Sequence, residues 1–128
     1  MEKTQGIDKF TEMSLLYDFY GALLSKRQRE VTGLYYEDNL SLAEIAEEFG
    51  ITRQGVHDAL RAAEKALLGY EEKLGLMDRL TRSEKMADSM EKELDKLILD
   101  LSEGKADAGK LTERLKGLKA GIRDLEEL

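Results

Sequence analysis

Residues 42–60 read LAEIAEEFGITRQGVHDAL, and the fold expected for this 128-residue chain follows from them. A helix-turn-helix needs a first helix of about two turns, a tight turn and a second helix at a steep angle. Ala46 provides a small side chain where the helices touch, and Gly50 falls at the turn, where positive φ costs little. Five apolar residues would interlock beneath both helices: Ile45, Phe49, Ile51, Val56 and Leu60. The stretch therefore predicts a helix-turn-helix, with an ordinary helical hairpin as the alternative.

The sequence on either side of this motif predicts further helices and no strands. Ser25 and Gln28 have the spacing of a capping box, in which each side chain satisfies an unpaired amide, and Ser41 and Glu44 repeat it. We expect a first helix over residues 7–22. The helix that follows Thr52 is expected to end near residue 74. The predicted fold class is all-α, with a helix-turn-helix that lacks the wing of winged-helix proteins.

The C-terminal part of the chain has a different pattern. A fifth helix is expected over residues 86–101, and SEGKADAG at 102–109 is the best linker. A sixth helix follows, and its apolar residues have the 4-3-4-3 spacing of a coiled coil or helical hairpin: Leu111, Leu115, Leu118, Ile122 and Leu125. We therefore expect a helix-turn-helix domain over residues 1–76 and a helical extension over residues 77–128.

Composition excludes several kinds of site. The chain has no cysteine and one histidine, so one chain cannot form a disulfide, a thiolate metal site or a site with several histidines. The net charge is −7, so any contact with nucleic acid must come from a local basic cluster. The first ten residues lack the apolar run of an export signal, and no membrane-spanning stretch is found. A cytoplasmic location is the default expectation.

No catalytic constellation is found either. His57 and Asp58 are adjacent, and neighbouring positions on a helix diverge by about 100°, so a relay between them is not expected. The adjacent glutamates at 71–72 and at 126–127 are expected to be solvated. We therefore predict a protein that is not an enzyme and that has no catalytic residue, metal or cofactor.

The start of the second helix of the motif would point into the major groove of DNA. Arginine matches guanine O6 and N7, and glutamine matches adenine N6 and N7. We predict base contacts from Arg53, Gln54 and His57, and phosphate contacts from Arg61 and Lys65. The alternative is that all five are ordinary solvated residues. Four nearby acids favour this alternative because they would repel phosphate: Glu47, Glu48, Asp58 and Glu64.

A second basic cluster lies at the start of the predicted second helix and consists of Lys26, Arg27 and Arg29. The amides of a helix start and positive side chains together favour a phosphate. We therefore predict an additional nucleic-acid contact at this cluster, again with solvated side chains as the alternative.

Residues 25–68 resemble the C-terminal promoter-reading region of bacterial sigma factors. The matching pieces include LSxxQREV at 24–31, SLxEIA at 41–46 and the Gly-Ile-Thr turn at 50–52. More closely, residues 1–80 resemble the YlxM family of small helix-turn-helix proteins through TEMSLLYDFYGALLSKRQREV, ITRQGVHDALRAAEKAL and YEEKLGL. The tail beyond residue 80 matches less specifically.

The YlxM resemblance implies a regulator without enzymatic activity that is linked to the signal recognition particle pathway and binds DNA, with RNA as an alternative. The sigma-like reading surface falls on Arg53, Gln54, His57 and Arg61. The acidic balance of the chain favours a different hypothesis, a protein-interaction module that keeps the helix-turn-helix as a scaffold. Its partner would be the particle's GTPase or another component.

Two apolar stripes, at residues 10–24 and 86–125, bear on assembly. Both are expected to be exposed, and together they would be too much apolar surface for a monomer of this size. We therefore expect a homodimer formed through helices at the two ends of the chain.

Overall fold

The computed structural model describes residues 8–128, and every regular element in this part of the chain is helical. The α-helices are α1 (Lys9–Tyr20), α2 (Lys26–Tyr36), α3 (Leu42–Phe49), α4 (Arg53–Leu74), α5 (Leu76–Ser102) and α6 (Ala108–Glu126), and a short 3-10 helix, Gly21–Leu23, follows α1. The all-α prediction is confirmed. The described residues divide into two compact units, one that ends at Asp78 and one that comprises Arg79–Leu128.

Local capping explains where α1 begins. The predicted start at residue 7 lies outside the described residues. Asp8 precedes α1, and its Oδ1 accepts the Thr11 N–H at 2.7 Å. This bond satisfies one of the amides that a helix start leaves unpaired, and it lowers the pKa of Asp8. After Tyr20 the chain tightens into the 3-10 turn, so the regular α-helix ends two residues earlier than predicted.

The first unit has one apolar core to which α1 to α4 and the start of α5 contribute. Its buried residues are Met13, Leu16, Tyr20, Leu24, Val31, Tyr36, Ile45, Ala46, Val56, Leu60, Ala63, Leu67 and Met77. Most of the stripe at 10–24 lies in this core, because α2 and α4 both pack against α1. The expectation that this stripe is exposed and available for a dimer is therefore wrong.

Glu71, on the last turns of α4, is only 6% exposed, so the expectation that it is solvated is wrong. Its Oε1 accepts the Tyr20 hydroxyl at 2.6 Å and the Met77 N–H at 3.0 Å, and its Oε2 accepts the Asp78 N–H at 3.0 Å. The Tyr20 hydroxyl in turn accepts the Leu76 N–H at 3.0 Å. A buried carboxylate therefore supplies acceptors to the first turn of α5, which explains why α5 begins ten residues before the predicted start.

In the second unit, α5 and α6 pack side by side. The Arg114 Nε donates to Glu93 at 2.9 Å, and its Nη1 donates to Asp100 at 2.7 Å, so one side chain of α6 holds two acids of α5. Leu97 and Leu118 are the buried apolar residues of this unit. None of the described helices is both long and apolar enough to cross a membrane.

Candidate nucleic-acid interface

The turn between α3 and α4 has the geometry that the sequence predicts. Gly50 adopts the left-handed conformation with φ 65°, and its N–H closes the last turn of α3. Thr52 then opens α4, since its Oγ1 accepts the Gly55 N–H at 2.9 Å. Ala46 and Val56 are both buried beneath the two helices. The prediction of a helix-turn-helix is therefore confirmed over residues 42–60.

Five predicted contact residues lie on α4, and all of them are exposed: Arg53, Gln54, His57, Arg61 and Lys65. Their spacing of one to four residues places them along one side of the helix over about 18 Å. The opposite side of α4 is buried through Val56, Leu60, Ala63 and Leu67. Burial of that side fixes the orientation of the helix and directs the predicted contact residues to solvent.

Asp58 lies among these residues and contacts two of them. Its Oδ1 accepts the Gln54 Nε2–H at 2.9 Å and lies 3.8 Å from the Nδ1 of His57. The latter distance is too long for a hydrogen bond. Asp58 therefore orients Gln54 instead of projecting alone from the helix.

Glu64 does not face a nucleic acid as a free acid. Its side chain is 14% exposed, the Tyr36 hydroxyl donates to its Oε2 at 2.6 Å, and the Lys9 Nζ lies 3.6 Å from its Oε1. Burial and this hydrogen bond raise the pKa of Tyr36. Three cations, Lys9, Arg61 and Lys65, line a groove of about 330 Å³ beside Glu64. Lys9 was not among the predicted contact residues, because nothing in the sequence brings α1 next to α4.

The two other acids, Glu47 and Glu48, lie on α3 and line different grooves. Glu48 belongs to a groove of about 450 Å³ whose apolar and aromatic lining includes Tyr17, Leu34 and Phe49. The acids at this groove are Glu30, Glu37, Asp38 and Glu48. Glu47 lines an adjacent acidic groove, again with Glu48. The fold thus separates an acidic groove on α2 and α3 from the groove that Arg61 and Lys65 line.

The predicted basic cluster on α2 has a different environment from α4. Lys26, Arg27 and Arg29 are all exposed, but the Arg27 guanidinium lies 4.8 Å from the centre of the Phe49 ring, a cation–π contact. Arg29 lines the acidic groove. At the start of this helix, the Gln28 N–H donates to the Ser25 Oγ at 3.3 Å, so the capping box occupies one amide expected to bind phosphate. The structure does not join this cluster to the groove of Arg61 and Lys65.

A metal site is not apparent in the described part of the chain. Residues 8–128 contain no group of three or more histidine, aspartate or glutamate side chains arranged to hold a metal ion.

Residues 7–103 match a protein-family model described as "Putative helix-turn-helix protein, YlxM / p13 like". The chain belongs to this family. The YlxM resemblance of the sequence is therefore confirmed, and the match covers α1 to α5 while α6 lies beyond it.

Curated relatives carry the name UPF0122 protein. The protein of Desulforamulus reducens is 49% identical over 77 residues, which cover 60% of this chain and 66% of the relative. That of Caldanaerobacter subterraneus is 57% identical over 72 residues, 56% of this chain and 62% of the relative. That of Listeria innocua is 43% identical over 89 residues, 70% of this chain and 81% of the relative. The matched segment thus spans just under two thirds of the length of the first two relatives.

Proposed function

We propose that this YlxM-family chain is a regulatory protein that binds nucleic acid as a homodimer by placing the start of α4 in the major groove of DNA. The observation that supports the proposal is the exposed row on α4 that begins at Arg53 and ends at Lys65. Arginine and glutamine at the start of the row suit base edges. The groove of Lys9, Arg61 and Lys65 farther along suits phosphates, which position a protein on the duplex.

The distribution of charge makes this function compatible with a net charge of −7. A nucleic acid at α4 would meet Arg53, Arg61 and Lys65, whereas Glu64 is held by Tyr36 and Lys9. Coulombic repulsion from more distant acids is screened beyond about 8 Å at physiological salt. Binding therefore depends on the local surface of α4 more than on the total charge.

A titration of labelled duplex DNA pools, followed by fluorescence anisotropy, tests the proposal. We expect Arg53→Ala to weaken binding about fivefold or more, because a bidentate contact of arginine with guanine contributes about 1–3 kcal/mol. Arg61→Ala should also weaken binding, because it removes a contact to phosphate. Lys65→Ala should weaken binding to all sequences alike. It should also reduce the slope of log affinity against log salt concentration by about one, the contribution of one phosphate contact. Arg123→Ala, an exposed arginine on α6, is the matched control. Unchanged binding by both α4 arginine variants would reject the proposal.

The family resemblance supports a role in the signal recognition particle pathway. We therefore add the RNA of the particle as a second probe in the same titration. Tighter binding of that RNA than of any duplex, lost in the same α4 variants, would assign RNA as the target in place of DNA. Equal salt-dependent binding of both probes would instead indicate contacts to phosphates alone.

A second candidate function is that of a protein-interaction module, and the acidic groove on α2 and α3 favours it. Tyr17, Leu34 and Phe49 provide an apolar floor, and four carboxylates surround it. A basic amphipathic helix of a partner protein would match both the floor and the charge. Pull-down with the particle's GTPase as bait tests this candidate. Capture that is lost in Glu37→Lys but retained in Arg53→Ala would support it and separate it from nucleic-acid binding.

A further inference from the structure

Both helices of the second unit carry a heptad seam, and each seam is half buried. On α5 the seam consists of residues 90, 94, 97 and 101, and on α6 of residues 111, 115, 118, 122 and 125. In each seam, the residues seven apart at one heptad position are buried or partly buried: Met90 and Leu97 on α5, and Leu111, Leu118 and Leu125 on α6. The other is exposed, with Leu94 at 44%, Leu101 at 55%, Leu115 at 47% and Ile122 at 54%. Helices that pack through a heptad seam normally bury both positions, so the exposed position of each seam is available to a further helix, as in a four-helix bundle.

The exposed positions of the two helices flank a common groove. Leu94 on α5 and Leu115 and Ile122 on α6 line a cavity of about 540 Å³ whose surface is largely apolar. Glu91 on α5 and Lys119 on α6 also line it, so each helix contributes one charge of opposite sign. Because this apolar groove is open, the helical unit of about 50 residues buries little of its apolar surface. Units of that size are marginally stable alone.

We propose that the second copy of this chain docks in this groove, so that two α5–α6 hairpins form a four-helix bundle. The charges favour a second copy over an unrelated helix, because the groove carries one charge of each sign and a two-fold axis can pair each with its opposite on the other copy. Glu91 of one copy then faces Lys119 of the other, and each exposed seam covers its equivalent. A helix with a single sign of charge would meet one attractive and one repulsive group.

The hairpin holds the groove in a defined shape. Arg114 joins α6 to Glu93 and Asp100 of α5, which fixes the register of the two helices. Gly121 lets Met90 approach closely, since a Cβ at this glycine would lie 2.8 Å from the Met90 sulfur. The family match ends at residue 103, so α6, which provides one side of the groove, lies outside it. The inference rests on the proposed homodimer but is independent of nucleic-acid binding.

Light scattering on the full chain at micromolar concentration tests the inference without any nucleic acid. We expect the wild type to have twice the chain mass of 14.5 kDa and Leu115→Glu to have 14.5 kDa. Leu99→Glu is the matched control, because Leu99 on α5 is at least as exposed as Leu115 but does not line the groove, and this variant should stay dimeric. Circular dichroism establishes whether each variant keeps its helices.

If Leu115→Glu loses its helices, the double variant L115A/I122A replaces it, because alanine keeps helix propensity while it removes apolar surface. That variant should raise the dimer dissociation constant at least about tenfold, since every 1.4 kcal/mol corresponds to that factor. A monomeric wild type would overturn the homodimer together with the groove assignment. A dimer that persists in both groove variants would overturn the groove assignment alone, and neither result bears on binding at α4.

Discussion

At the scale of single residues, Glu71 shows how a carboxylate is accommodated inside an apolar core. Its oxygens accept the Tyr20 hydroxyl and two backbone amides of α5. We expect Tyr20→Phe to lower the free energy of unfolding by about 1–3 kcal/mol, because it removes a donor from a buried acid and the acceptor of the Leu76 amide. Urea denaturation measures the loss.

Tyr70→Phe is the control for this substitution. The Tyr70 hydroxyl donates to the Leu23 carbonyl at 3.2 Å in an exposed position, where water can replace it. Its loss should be smaller than that of Tyr20→Phe. Equal losses in the two variants would show that the Tyr20 hydroxyl in the Glu71 network adds no more to stability than an exposed tyrosine hydroxyl does.

Glu44 provides a test of helix capping through pH. The hydrogen bonds that its carboxylate shares with Ser41 lower the pKa of Glu44 below its ordinary value of 4.5. Because the folded state holds the charged form, the stabilisation is complete above pH 4.5 and is lost as the pH falls through the lowered value. Glu44→Gln keeps an acceptor without a titrating group, so its free energy of unfolding should depend less steeply on pH below 4.5. Denaturant titrations at a series of acid pH values measure the slope, and an unchanged slope would contradict the assignment.

Capping boxes were predictable because all their partners lie within three residues. The boxes at Ser25 and at Ser41 both form as the sequence predicts. Glu71 was not predictable, since its main side-chain partner, Tyr20, lies 51 residues away along the chain. Local patterns therefore identify helix starts, and only the packed core reveals which charged residues are buried.

At the scale of secondary-structure elements, three glycines should respond differently to alanine. Gly50→Ala should cost about 1–2 kcal/mol, because a side chain is disfavoured at φ 65° even where space is open. Gly117→Ala, in the interior of α6 with no atom within 4 Å, should stabilise by about 0.5–1 kcal/mol. Gly121→Ala should gain less, since Met90 must move. Thermal and urea unfolding of all three measure these signs, and a stabilised Gly50→Ala would contradict the turn geometry.

The helices were predicted better than their surroundings. The turn at Gly50 and the end of α4 near Leu74 follow from apolar periodicity and glycine caps, which are local properties. The stripe of α1 also has the predicted periodicity, but periodicity cannot tell whether a face packs on its own chain or on another. The contacts of α1 with α2 and α4 answer that question.

At the scale of the whole molecule, the two compact units lead us to propose two domains, and the aromatic residues allow them to be followed separately. All five tyrosines and three phenylalanines occur before residue 71. Tyrosine fluorescence therefore reports the first unit, whereas far-ultraviolet circular dichroism reports both. We expect the unfolding transition seen by tyrosine fluorescence to be independent of protein concentration and of Leu115→Glu. The unfolding transition seen by circular dichroism should contain a component that depends on both. A single shared transition for both probes would contradict separate domains.

Charge was the least predictable property of the site. Counting acids along the sequence favours repulsion of phosphate, yet the fold places Glu47 and Glu48 at grooves other than that of Arg61 and Lys65. Glu64 is also withdrawn from solvent by Tyr36, from a different helix. These arrangements depend on how α1 to α4 pack against one another, and counting charged residues along the sequence gives no information on that packing.

The only histidine of the chain, His57, lies in the exposed row of α4. Its imidazole ring protons therefore give a single, unambiguous set of magnetic-resonance signals from that row, without isotopic labelling or a foreign tag. A ligand that docks on α4 must displace these signals, whereas one that occupies the acidic groove or the α5–α6 hairpin leaves them in place. The signals of His57 thus report whether a ligand binds at α4 or at another surface of the chain.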